Sequence, residues 1–195
     1  MLYKPERIMK LLFFVFSVCL LTLFCNNHRK QRAIESQEIY VCLPCGSDCD
    51  TIQYKDSGTC GHCGMELVKK STITHSNVEP ENLCSFISKA GNENILLLDV
   101  RTQEEFEGKS KEKFGRLNHA LNIPVQQLEK RISELAAYKN KQIVVYCSHS
   151  HRSPRASYML SENGFNKVTN MLGGMSVWKV SVKDDECNQN LFISQ

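Results

Sequence analysis

Between residues 78 and 181, short apolar runs alternate with segments whose apolar residues recur at helical spacing. The runs at 95–98 and 143–146 are continuously apolar, as strands buried on both faces of a sheet are. Residues 125–138 show the spacing of an amphipathic helix, and residues 102–105 form a capping box that opens a short helix. Further helices are predicted over 80–90 and 153–163, and a last strand over 168–172. This alternation predicts an α/β fold, a mostly parallel sheet covered by helices on both faces.

The composition is that of an ordinary globular protein. The chain has 195 residues, of which 42% are apolar and 23% charged, and its formal net charge is +3. This charge is too small to indicate nucleic-acid binding, and no basic stripe with interleaved aromatic residues is present. The length predicts one domain of ordinary size with smaller segments beside it.

The N-terminus reads as a targeting segment, residues 1–25. Basic residues in the first ten positions precede an apolar run at 11–25, which is typical of a secretory signal and is shorter than the ~20 residues of a spanning helix. Cys25 resembles the lipidated cysteine of bacterial lipoproteins, but Phe24 stands where that pattern has a small residue, so a short uncleaved anchor is the alternative. We expect an extracytoplasmic protein of the cell envelope, anchored to the membrane, with a polar linker at 26–38.

Residues 39–70 contain five of the ten cysteines. Cys42 and Cys45 form one C-x-x-C step, Cys60 and Cys63 form another, and 14 residues separate the two. Two such steps allow four thiolates to converge tetrahedrally on one zinc ion, which also suits a segment too short to bury a core. We therefore predict a structural zinc held by these four residues. Cys49 and His62 are further candidate ligands.

The same segment resembles the short heavy-metal-binding ribbons of bacterial envelope proteins. The residues that carry this resemblance lie at 40–42 and 58–67. Three interpretations stay open at this point: a static zinc ribbon, a metal-sensing or metal-delivery module, and a pair of disulfides favoured by an oxidising compartment.

Cys147 is the candidate nucleophile of the main domain. It follows a predicted buried strand and precedes a predicted helix, and ligands of parallel sheets bind beyond the carboxyl ends of the strands. Loop N–H groups, the helix N-terminus and Arg152 all favour a thiolate at such a position. The candidate substrate-binding residues are the polar members of this loop: Ser148, His149, Ser150, His151 and Ser153.

The main domain also resembles the rhodanese family. Four motifs occur in the family's order: 99–101 with Glu105-Phe106, then 115–124, 145–147 with Arg152-Ser153, and 172–174 with Trp178. The resemblance implies the rhodanese fold over 78–181, followed by a tail at 182–195. It also implies sulfane-sulfur transfer through a Cys147 persulfide, from a thiosulfate-like or persulfide donor to a thiol acceptor, with no cofactor required. His119 and Ser150 stand where the family usually has glycine.

The roles of the surrounding residues follow from their chemistry. Arg152 is expected either to anchor an anionic donor or to orient the loop, and the two loop histidines are expected to bind the donor, to carry protons or simply to be solvated. We expect Asp99 and Arg101 to brace the end of a strand. Two further thiols could resolve a persulfide by forming a disulfide with Cys147, although one is better explained as core and the other lies in a tail expected to be mobile. These are Cys84 and Cys187.

Two other functions remain open from the sequence. A cysteine phosphatase or arsenate reductase has five residues between its cysteine and arginine, whereas Cys147 and Arg152 have four between them, a loop better sized for a single sulfur atom. Alternatively, the domain is a non-catalytic scaffold and the ribbon handles metal in the cell envelope.

Overall fold

The computed structural model describes residues 38–91, 95–182 and 186–195. One compact unit extends from Ile39 to Gln195. No helix among the described residues is long and apolar enough to cross a membrane. The predicted targeting segment, 1–25, and most of the linker lie outside the described residues.

A five-stranded parallel sheet forms the centre of the main domain, with the strand order β4-β9-β8-β5-β7. Its central strands carry the apolar runs seen in the sequence, and their burial on both faces accounts for those runs. The strands are β4 (Ser76–Val78), β5 (Ile95–Asp99), β7 (Leu121–Asn122), β8 (Gln142–Tyr146) and β9 (Val168–Met171). The expectation of a parallel sheet is confirmed.

Helices cover both faces of this sheet, each over its own apolar cluster. On one face, α3 (Val125–Arg131) and α4 (Arg152–Glu162) pack over Leu98 and Val145. On the other face, α1 (Leu83–Ala90) and α5 (Gly174–Ser181) pack over side chains that include Val144. Successive strand residues point to opposite faces, so β8 contributes to both clusters.

One helical segment differs in detail from the sequence pattern. The helix expected over 125–138 is α-helical only in α3 and continues as a 3₁₀ helix over Ile132–Tyr138. Apolar spacing cannot distinguish the 3.6-residue period of an α-helix from the 3-residue period of a 3₁₀ helix over so few turns.

The predicted capping box is confirmed at the start of α2 (Gln103–Phe106), where Thr102 Oγ accepts from Glu105 N–H and the Glu105 carboxylate accepts from Thr102 N–H.

The cysteine-rich segment folds as a small three-stranded antiparallel sheet with the order β2-β1-β3. Its strands are β1 (Tyr40–Val41), β2 (Gln53–Tyr54) and β3 (Val68–Lys69). A 3₁₀ turn over Asp48–Thr51 separates the first two strands. The loop between the last two narrows to a turn that carries Cys60 and Cys63, closed by the hydrogen bond from Cys60 N–H to Met65 O at 2.8 Å.

The ribbon contacts the main domain at the carboxyl end of β9. Asn170 Nδ2 donates to Pro44 O at 3.1 Å, and Gly46 lies against the Leu172 side chain. A second contact joins Thr72 Oγ1 and Tyr158 Oη, 2.9 Å apart, just beyond the ribbon. The ribbon therefore adjoins the edge of the sheet at which the β8 strand also ends.

The described part of the C-terminal tail, residues 186–195, forms regular secondary structure, whereas the sequence led us to expect a mobile tail. Helix α6 (Glu186–Asn190) carries Cys187, which forms a disulfide with Cys84 of α1. Strand β10 (Phe192–Ile193) then pairs antiparallel with β6 (Arg116–Leu117). The polar sequence of the tail favours a mobile segment. The disulfide and the strand pairing that hold the tail join residues far apart in the chain, so the sequence does not reveal them.

Candidate functional site

Cys147 lies immediately after β8, where the sequence placed it, at the carboxyl edge of the sheet. It is 1% exposed, and its Sγ donates to Ser153 Oγ at 3.4 Å. Ser153 is itself fully buried in the first turn of α4. The sulfur atom is thus held at the N-terminus of an eleven-residue helix, where the helix dipole favours a negative charge.

The carbonyl groups of Cys147 and Ser148 accept hydrogen bonds from the start of α5. Met175 N–H donates to Cys147 O and Ser176 N–H donates to Ser148 O, each at 2.9 Å. Gly174 permits this approach, since a Cβ there would lie 2.5 Å from Cys147 O. No described backbone carbonyl accepts a hydrogen bond from the N–H groups of residues 148–151. Those donors are therefore available to an anion or to a negatively charged sulfur atom.

Arg152 is engaged by the protein itself. Its Nη1 and Nη2 bind the two Glu105 carboxylate oxygens at 2.6 and 2.8 Å, and Nη2 also donates to Ser148 Oγ at 2.6 Å. Partial burial alone would raise the pKa of Glu105, but the hydrogen bonds from Arg152 and from Thr102 N–H outweigh it and lower the pKa to about 2. Arg152 therefore links the loop after Cys147 to α2 as a charged pair at neutral pH.

Asp99 and Arg101 form a buried ion pair behind the loop. Both side chains are fully buried, and Arg101 Nη2 lies 2.6 Å from Asp99 Oδ2 and 2.9 Å from Gly115 O. The pair joins the end of β5 to the segment before β6. This arrangement agrees with the bracing role expected from the sequence, and no hydrogen bond in the described structure joins either side chain to Cys147.

The remaining loop residues divide into exposed and buried ones. His149 and His151 are exposed, and the His149 ring meets the Phe114 ring edge-on at a centroid distance of 5.2 Å. Ser150 is fully buried with φ of 58°, and its hydroxyl has no hydrogen-bond partner in the described structure. Ser148 is buried and binds Arg152. Four of the five predicted substrate-binding residues thus lie in this loop and Ser153 lies in the first turn of α4, and their contact with a substrate stays a prediction.

Four cysteines of the ribbon converge on one point. Their Sγ atoms all lie within 4.8 Å of one another, and those of Cys42 and Cys63 are 3.2 Å apart. A tetrahedral zinc ion needs sulfur atoms about 3.8 Å apart, so the donor set fits this metal. We call this group the inner cysteine set: Cys42, Cys49, Cys60 and Cys63.

The inner cysteine set differs by one residue from the ligands expected from the C-x-x-C spacing. The structure brings Cys49, and not Cys45, to the other three. The 3₁₀ turn over Asp48–Thr51 returns the chain toward the strand ends and buries Cys49 fully, whereas the Cys45 sulfur is directed to Asp50 at 3.4 Å. Spacing along the chain cannot reveal such a return. Cys49 had been a further candidate ligand, and His62 is not part of the set.

Backbone donors shape the electrostatics of the inner set. The N–H of Cys63 donates to the Cys60 sulfur and, against the opposing effect of burial, lowers the pKa of Cys60 to about 6, with help from the N–H of His62. Burial and the neighbouring thiols raise the pKa of Cys42 and Cys49. A divalent cation would compensate the negative charge that these thiols resist carrying together, which is the usual reason for metal-dependent deprotonation of such clusters.

Sequence reasoning missed three features of this region. Glu105 was assigned to the capping box, three positions after Thr102, and its ion pair with Arg152 was not predicted. Asn170 lies in β9, a fully buried strand, and a polar amide at such a position was a usable signal for its bond to Pro44. The disulfide between Cys84 and Cys187 could not be inferred, because a pairing is not readable from sequence alone; in this state neither thiol is available to resolve Cys147.

Known proteins match the main domain. Residues 85–181 match the family described as Rhodanese-like domain. The chain is 37% identical over 95 residues to the uncharacterized protein YqhL of Bacillus subtilis, a match that covers 49% of this chain and 69% of YqhL. It is 34% identical over 93 residues to the tRNA uridine(34) hydroxylase of Escherichia coli, covering 46% of this chain and 25% of that enzyme.

Among solved structures, a rhodanese-related protein from Thermoplasma volcanium is similar to this chain. The two are 25% identical with a TM-score of 0.42, and the match covers 53% of this chain and 90% of the other. The match to the hydroxylase therefore spans a quarter of that enzyme, whereas the match to YqhL spans more than two thirds of that protein.

Proposed function

Because this chain belongs to the rhodanese-like domain family, we propose that it is a sulfurtransferase that carries sulfane sulfur as a persulfide on Cys147. The observation that carries the proposal is the setting of the Cys147 sulfur. It lies at the N-terminus of α4, inside a loop whose N–H groups at 148–151 meet no backbone acceptor among the described residues. Such a setting stabilises an anionic sulfur and does not require a metal or an organic cofactor.

The reaction is a double displacement. The Cys147 thiol first loses its proton to solvent, by way of the exposed loop histidines. The thiolate then attacks the outer sulfur of a thiosulfate-like donor, the S–S bond of the donor breaks, and sulfite leaves with the electron pair. An acceptor thiolate attacks the terminal sulfur of the resulting persulfide and regenerates the Cys147 thiolate. No net redox equivalent is needed, because the sulfane sulfur keeps its oxidation state.

In this mechanism Arg152 acts as a positioning residue. Its guanidinium is bound at both ends by Glu105 and Ser148, so it fixes the loop conformation. Of the two roles expected from the sequence, this geometry favours orientation of the loop over direct binding of the donor. The positive charge still lies beside the site and favours an anionic donor.

Intact-mass measurement of the full chain after incubation with thiosulfate tests the proposal. We expect one added sulfur atom, mapped to the Cys147 peptide and removed by cyanide, and none on a Cys147→Ser variant. Cys45→Ser is the matched control, since it also removes a buried thiol but should keep the added sulfur. Absence of the added sulfur with both thiosulfate and glutathione persulfide as donors would reject the sulfurtransferase function.

The inner cysteine set is proposed to hold a structural zinc ion. The four thiolates would complete its coordination with no open position, which is typical of structural sites. The ribbon buries few side chains other than these cysteines and Leu67, so the ion would supply much of its stability.

The protein is proposed to work in the cell envelope, outside the cytoplasm, attached to the membrane by its N-terminus. The disulfide between Cys84 and Cys187 supports this location, because such bonds persist in oxidising compartments. Its partners would be a small sulfur-containing anion and a thiol acceptor. Cell fractionation combined with alkylation of free thiols in intact cells tests the location. Recovery in the cytosolic fraction, with Cys84 and Cys187 both alkylated, would reject it.

A further inference from the structure

Cys45 and Asp50 lie beside the inner cysteine set and share one of its members. The Sγ atoms of Cys45 and Cys49 and a carboxylate oxygen of Asp50 all lie within 4.8 Å of one another. Both cysteines are buried, and Asp50 is half-buried. We call these three residues the outer ligand set. Cys49 belongs to both sets, so the two groups of ligand atoms adjoin at its sulfur.

The Cys45 sulfur has the surroundings of a metal-bound thiolate. The hydroxyl and the backbone N–H of Ser47 both donate to it. The Cys60 sulfur, in the inner set, receives backbone N–H donors from His62 and Cys63 in the same way. Donors of this kind orient and stabilise thiolates around a metal.

Asp50 is also oriented as a ligand. Its Oδ2 accepts from the backbone N–H groups of Cys45 at 2.9 Å and Gly46 at 2.8 Å, which fixes the plane of the carboxylate. Its Oδ1 accepts from the Cys45 thiol at 3.4 Å. The thiol proton therefore lies between the sulfur and the oxygen that a metal ion would join.

We propose that the outer ligand set binds a second Zn²⁺ ion, with the Cys49 thiolate bridging the two ions. Two thiolates and one carboxylate are accepted zinc ligands, and the hard carboxylate disfavours Cu(I). When the ion binds, the Cys45 S–H bond breaks and its proton leaves to solvent, while Cys49 donates a second lone pair. No electron transfer is involved. This site goes beyond the sulfur-transfer proposal and does not depend on it.

Three protein ligands leave the fourth zinc position to water, as in sites whose zinc exchanges ligands. The second ion would thus be the more labile of the two. It would lie on the ribbon turn that contacts Asn170 and Leu172 of the main domain. The outer set is the feature of this ribbon that would allow zinc to be taken up and released while the inner ion keeps the fold.

Native mass spectrometry of the full chain during Zn²⁺ titration tests the site. We expect two ions on the wild type and one on both Cys45→Ser and Asp50→Asn. Asp48→Asn is the matched control, because Asp48 lies in the same turn, is exposed and is not in either ligand set; it should bind two. Circular dichroism of each variant confirms that the fold is retained.

Alkylation of thiols by iodoacetamide at each step of the titration provides a second readout. Cys60 and Cys63 should be protected after the first equivalent of zinc, and Cys45 only after the second. A wild type that binds a single ion would overturn the proposal. So would two ions on both Cys45→Ser and Asp50→Asn, since the second ion would then lie elsewhere.

Discussion

His119 and Ser150 have positive φ angles, 58° each, and are the non-glycine residues with this conformation in the described ranges. Both stand where rhodanese-like sequences usually have glycine. A left-handed conformation costs a residue with a Cβ about 1–2 kcal/mol relative to glycine, and the Ser150 hydroxyl is in addition buried without a partner. His119 is exposed, so its side chain has no comparable burial cost. The loop after Cys147 therefore carries its local strain at a single side chain, Ser150.

Replacing Ser150 with glycine should stabilise the protein. The substitution removes the backbone strain and the buried, unpaired hydroxyl. The free energy gained in this way exceeds the extra entropic cost of ordering a glycine on folding. We expect a gain of about 1 kcal/mol, or a rise in Tm of roughly 2–4 °C, measured by thermal unfolding. Ser85→Gly, at the exposed third residue of α1, is the control and should lower stability by roughly 0.5 kcal/mol. An unchanged or lower Tm for Ser150→Gly would contradict the strain.

At the scale of elements, the ion pair between Glu105 and Arg152 connects two helices that are distant in sequence. Glu105 caps the start of α2 and Arg152 begins α4, so one carboxylate both caps a helix and binds the arginine that follows the Cys147 loop. The pair is only partly buried, which limits its energetic value, but its bidentate geometry fixes the direction of the guanidinium. The orientation of the loop depends on this connection.

The pH dependence of stability should reveal this pair. The pKa of Glu105 is lowered from 4.5 to about 2 in the folded protein, so its contribution is complete above pH 4.5 and declines as the pH falls toward 2. The free energy of unfolding is measured by chemical denaturation at several pH values. In Glu105→Gln it should fall less than in the wild type as the pH is lowered from 4.5 to 2. Glu104→Gln, an exposed neighbour in α2, should retain it. If the free energy of unfolding falls equally with pH in the wild type and in Glu105→Gln, the ion pair does not contribute to stability.

At the scale of the whole molecule, two peripheral segments are fastened to the main domain. The ribbon touches the sheet through Pro44 and Gly46, next to the Leu172–Gly174 turn that leads into α5 and its contacts with the loop after Cys147. On another side, the tail pairs with β6, its Phe192 ring covers Gly115, and Gln195 Nε2 donates to Phe106 O. Each segment therefore contacts a part of the chain that lies next to a partner of the Cys147 loop: the ribbon contacts the turn before α5, and the tail contacts α2.

Loss of the disulfide should release the tail. Cys84 and Cys187 are 103 residues apart, and cross-linking so long a loop typically stabilises a protein by about 2–4 kcal/mol. The Cys84→Ala, Cys187→Ala double variant should lose stability of this order in denaturant unfolding and should gain amide exchange over residues 186–195. Treatment with a phosphine reductant should reproduce the loss in the wild type and leave the double variant unchanged. Equal stability of the two proteins would contradict a structural disulfide.

Removal of the zinc ion that we propose for the ribbon should alter the surroundings of a residue in the main domain. Trp178, the single tryptophan, lies in α5 just after the turn that Gly46 contacts, so its fluorescence should change when a chelator strips the ribbon. Asn170→Ala removes the bond to Pro44 and should reduce this response. Asn77→Ala, which removes only the other partner of Asn170, should keep it. A response of equal size in all three proteins would show that Asn170 does not connect the ribbon to α5.

The sequence by itself determined the parallel α/β architecture and the position of Cys147. Both follow from local signals: apolar runs such as 95–98, the capping box at Thr102, and a cysteine directly after a buried strand. Burial and backbone hydrogen bonding act on neighbouring residues, so their pattern is visible along the chain.

Tertiary structure alone decided which groups meet across long separations. It brought Cys49 in place of Cys45 to the inner set, joined Glu105 to Arg152 and Cys84 to Cys187, and seated the ribbon on Asn170. Each of these contacts depends on the directions in which strands and turns return in space. The spacing of residues along the chain does not record these directions. The pairing of β10 with β6 and the position of Cys49 in both ligand sets are therefore seen only in the folded protein.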